Sequence, residues 1–66
     1  MTGVVKFFDS KRGWGFIISD ENEMEVYVHY SEILMDGFKR LFPGDKVKFE
    51  LGEHNGRVCA TEVVKL

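Results

Sequence analysis

Trp14, Phe16, Tyr27 and His29 stand at alternate positions of two short segments, with Lys6, Phe8 and Arg12 close by in the chain. Rings interspersed with cations suit one kind of chemistry. An aromatic face stacks on the π-face of an unpaired nucleobase for about 1–3 kcal/mol, and lysine or arginine neutralises the phosphates that link such bases. The other reactive side chains form no comparable set. Cys59 and His54 flank an Asn55-Gly56 turn with no third group to orient them, so no catalytic residue is expected and the chain is read as not an enzyme. The two histidines and the single cysteine lie in three segments without paired spacing, so neither a metal nor another cofactor is expected.

The segments that must position these rings are short and β-like. Residues 2–8, 14–19, 25–30, 46–51 and 57–64 are rich in Val, Ile, Phe, Tyr and Trp, and the gaps carry Gly, Asp, Asn, Ser or Pro. The pattern predicts five strands. Asp9 to Gly13 closes a first hairpin and Asp20 to Met24 a second. Asn55-Gly56 has the positive-φ preference of a type I′ turn, and Phe42-Pro43-Gly44-Asp45 suits a type II turn. Between Ser31 and Asp45, Leu34, Phe38 and Leu41 recur at helical spacing, but Gly37 interrupts them. One helical turn capped by Ser31 and then an ordered loop is expected there. Short strands without a substantial helix predict an all-β fold, a five-stranded antiparallel β-barrel of the oligonucleotide-binding type, because closure hides the strand edges.

Side chains alternate between the two faces of a strand. Parity therefore assigns Val5, Ile17, Val26, Val28, Val47, Phe49, Leu51 and Val63 to the barrel interior, with Ile33 as a plug. The opposite face carries Phe8, Trp14, Phe16, Tyr27 and His29 with Lys6 and the nearby Arg12. A small barrel has no room for so many further rings, so this second set is expected outside, where a contiguous aromatic patch marks a binding surface.

Length and charge bound the rest. With 66 residues the chain fits one domain spanning 1–66. A net charge of −2 excludes a polycation that coats nucleic acid by charge alone, so any site must be local. Cys59 is the only cysteine, which rules out an internal disulfide and suits the cytoplasm. No stretch reaches the roughly 18 apolar residues of a membrane span, and Met1 to Lys6 lacks the layout of a signal peptide, so no membrane association is expected.

Arg12-Gly13-Trp14-Gly15-Phe16-Ile17 and Val26-Tyr27-Val28-His29-Tyr30 resemble, in order and spacing, the paired ribonucleoprotein motifs of the bacterial cold-shock protein family. The likeness continues through Gly3 to Ser10, Ser31-Glu32-Ile33, Asp36 to Lys39, and Gly44. The resemblance implies an oligonucleotide-binding barrel whose second and third strands expose the two motifs. It implies that Phe7, Phe8, Trp14, Phe16, Tyr27, His29, Tyr30 and Phe38 hold bases, that Lys6 and Arg12 meet phosphates, and that Glu25 accepts a hydrogen bond from a base. Single-stranded RNA and single-stranded DNA are the implied partners, and an RNA chaperone is the implied activity; a monomer is expected, although the residues themselves leave the oligomeric state open.

The chain departs from the family pattern in places. Phe7 stands where the family usually has Trp, and Asp9 where it has Asn. Arg12 replaces a common Lys, keeping the charge and adding a planar group. Arg57-Val58-Cys59-Ala60 replaces a usual Gly-Pro-Gln-Ala, so the last hairpin is expected to differ in shape, and a basic contact from Arg57 is the least direct transfer. The alternative is a protein-interaction barrel that docks peptides on the aromatic patch. That reading accounts for the rings but not for Lys6 and Arg12. An RNA-recognition-motif domain would need two helices, for which the chain has no room.

Overall fold

In the computed structural model, which describes residues 1–35, 37 and 39–66, the strands are β1 (Thr2–Asp9), β2 (Trp14–Ser19), β3 (Glu25–His29), β4 (Lys46–His54) and β5 (Arg57–Lys65). They close a barrel in the order β1-β2-β3-β5-β4. The barrel is mixed, not wholly antiparallel as expected: β3 and β5 run parallel, joined at Tyr27↔Cys59 and Val28↔Ala60. The connection between β3 and β4 sets this direction. It leads the chain to the opposite edge of β1, so β4 and β5 form their own hairpin and β5 returns beside β3 pointing the same way.

The turns follow their residue chemistry. Asn55 and Gly56 have φ of 52° and 76°, the two positive values of a type I′ turn. Asp45 N–H donates to the Phe42 carbonyl at 3.0 Å, closing the turn expected at Pro43-Gly44. After β3 comes a single 3-10 turn at Tyr30–Glu32. Its cap is His29 and not Ser31: the imidazole accepts from the Ser31 N–H, two residues earlier than the sequence suggested.

Val5, Ile17, Val26, Val28, Ile33, Val47, Phe49 and Val63 are buried as parity predicted. Ile33 plugs the barrel through an isolated parallel bridge to Val63. Phe8, Leu41 and Ala60 join this core. Leu51 does not, and is 45% exposed. β1 accompanies β4 only from Lys46 to Lys48, and the Met1 carbonyl then accepts from Phe49 N–H. Beyond that point β4 continues beside β5 but no longer beside β1, so Leu51, although opposite the buried Ala60, lies at the open edge of β4 and not in the core.

Phe8 is the second correction to the parity reading. The β1–β2 register shifts between Val5 and Phe7, so Lys6 is an extra residue without a partner. Such a bulge inverts the facing of everything beyond it. Lys6 and Phe7 both point outward and Phe8 turns into the core at 9% exposure. Gly15 permits this packing, since a Cβ there would strike the Phe7 carbonyl oxygen and lie 2.7 Å from the Phe8 Cα.

Candidate nucleic-acid interface

Two rows of paired residues build the outer face of β1, β2 and β3. Phe7, Phe16 and Tyr27 lie side by side in one row, and Asp9, Trp14 and His29 in the next. The row between them, Phe8, Gly15 and Val28, points inward. This interleaving concentrates the rings. Trp14 meets Phe7 edge-on at 5.6 Å and Phe16 at 5.8 Å, and lies nearly parallel to Tyr27, 22° apart at 6.3 Å. Phe16 also meets Tyr27 edge-on at 6.1 Å.

Each ring therefore has a neighbour in the free protein. Such pairs contribute about 0.5–1.5 kcal/mol beyond their burial, which offsets part of the penalty for leaving rings in water. Trp14, expected on the outer face, is half-buried there, because the rings of Phe7 and Tyr27 on the adjacent strands shield it. Phe16, Tyr27 and His29 are likewise half-buried, whereas Phe7 is exposed.

Tyr30 extends the face past the end of β3. Its ring lies tilted against His29 at 4.5 Å and covers Gly13, where any Cβ would collide with the Tyr30 Cδ1. Gly13 also holds φ at 81°, so it is needed twice, for the turn and for the ring above it. His29 Nδ1 lies 2.9 Å from the Ser31 hydroxyl, which fixes the imidazole in place. Phe38, given a stacking role by the resemblance, lies outside the described residues.

The charged members are less free than the sequence suggested. Lys6 Nζ is 3.0 Å from Glu25 Oε2, so the residue expected to meet phosphate and the one expected to meet a base are paired with each other. Asp9 orders the β1–β2 turn: Oδ1 accepts from the Lys11 and Arg12 N–H groups, and Oδ2 is 3.9 Å from Arg12 Nε. The Arg12 side chain is exposed. Arg57, the least direct transfer, is brought to the face, its guanidinium carbon 6.0 Å from the Tyr27 ring centre.

With these positions fixed, comparison with known proteins is decisive on kinship. The model of the "'Cold-shock' DNA-binding domain" family matches residues 1–66. The chain belongs to the cold-shock domain family. A cold shock-like protein of Thermotoga maritima is 55% identical over 53 residues, covering 80% of this chain and 79% of its own. Major cold shock protein CspA of Bacillus cereus is 48% identical over 67 residues, 100% of this chain and 97% of its own. The solved structure of drosophila Unr CSD456 shares the fold, with a TM-score of 0.80 at 22% identity over 98% of this chain, which spans 26% of that longer one.

As a cold-shock domain protein the chain binds nucleic acid and is not an enzyme. Among the described residues no helix is long and apolar enough to cross a membrane. His54, Asn55 and Cys59 were not read as part of a binding face, yet they line an open cleft with Tyr27 and Arg57. No spacing rule links position 27 to position 54. The parallel β3–β5 pairing makes them neighbours, and parallel contacts between distant strands leave no local signal.

Proposed function

We propose that this cold-shock domain protein binds single-stranded RNA and single-stranded DNA as a monomer, and acts in the cytoplasm as an RNA chaperone that keeps transcripts unpaired. The observation that carries this reading is the ring cluster of Phe7, Trp14, Phe16 and Tyr27, continued by His29 and Tyr30 along one outer face. An unpaired base can cover such rings with its own π-face, and a paired base cannot. Binding that rests on stacking is tolerant of sequence and survives in a protein whose net charge is −2. The chaperone role follows from the same asymmetry: a protein that binds open strands more tightly than duplex pulls weak hairpins open by mass action.

The lone Cys59 supports a reducing compartment. The experiment is a titration of Trp14 emission with oligothymidine and with duplex of the same length, joined to a melting assay on a short RNA hairpin. Saturable quenching by the single strand, far weaker response to duplex and a lowered hairpin melting temperature are expected. Equal affinity for duplex refutes the reading.

A further inference from the structure

The β3–β5 ladder runs through Tyr27↔Cys59 and Val28↔Ala60. Toward its start β5 follows β4 instead, through Val58↔Glu53 and Arg57↔His54 to the Asn55-Gly56 turn. An open cleft of about 290 Å³ is left between Tyr27 and this hairpin, lined by Tyr27, His54, Asn55, Arg57 and Cys59. Among the described residues no carboxylate lines it. A neighbouring cleft of about 390 Å³, which shares Tyr27, His54 and Cys59, carries Glu32 and Glu53 and so repels phosphate. A strand crossing Tyr27 is directed by charge to the Arg57 side.

We propose that the cleft between Tyr27 and the β4–β5 hairpin is a base-specific subsite for guanine, stacked on Tyr27 and read at its edge by Arg57. The proposal rests on the single-strand reading above. Guanine presents two adjacent acceptors, O6 and N7, which fit the rigid fork of a guanidinium; thymine and uracil offer no such pair, and adenine sets a donor beside its N7. At 6.0 Å from the Tyr27 ring, Arg57 sits at the outer limit of a cation–π contact, so moving to a base edge gives up little. The tight turn holds Arg57 opposite His54, which keeps the fork at the rim of the cleft. His54 and Asn55 add polar groups for the rest of the base edge.

The test uses a thymidine heptamer and the same oligomer with one guanine moved through each position, titrated against Trp14 emission. One position is expected to bind about tenfold tighter than all-thymidine, low in the range for an Arg–guanine pair because Arg57 must leave Tyr27. 7-Deazaguanine at that position, which keeps the ring but loses N7, should lose most of the gain. So should Arg57→Lys, which keeps charge without the fork; the readout is the guanine-to-thymine affinity ratio within each variant. Saturable thymidine binding with no guanine gain at any position overturns the subsite and leaves the single-strand reading standing. An equal gain from adenine or 7-deazaguanine overturns it too, since that would be stacking strength alone. Failure of every oligomer, all-thymidine included, overturns both.

Discussion

Lys6 and Glu25 meet across the foot of the ring face, ammonium to carboxylate at 3.0 Å, with both side chains half in solvent. An exposed pair of this kind contributes about 0.2–1 kcal/mol to stability. It also screens the lysine from an approaching phosphate. Because Lys6 is the bulge residue of β1 and Glu25 opens β3, the pair spans the β2 strand between them.

Glu25→Gln is expected to free Lys6 and raise oligothymidine affinity about two- to threefold, while steepening the slope of log K against log salt by about 0.7, one more phosphate contact on a single strand. Titrations between low and moderate salt measure both. The wild-type slope should be shallow, since few cations stand at the face. Weaker binding in the variant would mean that the carboxylate meets a base and the pairing with Lys6 is incidental.

Phe7 and Phe8 are adjacent yet should behave oppositely, because the bulge sends one outward and the other into the core. Phe8→Leu is expected to cost about 1–2 kcal/mol of stability through lost packing. Phe7→Leu should leave stability within about 0.5 kcal/mol and weaken oligonucleotide binding by about 1 kcal/mol or more. Urea melts and titrations on the two variants decide it; matching stability losses would contradict the bulge.

Phe16→Ala and His29→Ala should each weaken binding by about 1–3 kcal/mol. Phe16→Ala also removes two edge-on ring contacts, so about 1 kcal/mol of stability should go with it. Val28→Ala, behind them in the core, should cost about 2 kcal/mol of stability and leave the affinity of the folded fraction near wild type. A Phe16→Ala variant that binds normally would remove that ring from the site.

Trp14 reports on the whole face. Half-shielded by Phe7, Phe16 and Tyr27, it should show partial accessibility to acrylamide in the free protein, between a core indole and a free one. Saturating oligothymidine should quench its emission and cut acrylamide access further. Proline-rich peptide should change neither, and a peptide response equal to that of oligothymidine would favour the protein-docking alternative.

The strands, their turns and most of the core were legible in the sequence, because alternation, β-branched residues and Asn-Gly or Pro-Gly pairs act over a few neighbouring residues. The rings of β2 and β3 were legible for the same reason: neither strand contains a bulge, so parity held from Trp14 to Ser19 and from Glu25 to His29. What failed lay where one strand's geometry depends on another. An unpaired Lys6 reversed Phe8, the early end of β1 pairing left Leu51 outside, and cross-strand rings half-covered Trp14. The Lys6–Glu25 pair and the cleft joining Tyr27 to Arg57 likewise exist only once the barrel closes. Register and closure are set by the sum of many distant contacts, and only the tertiary structure expresses that sum.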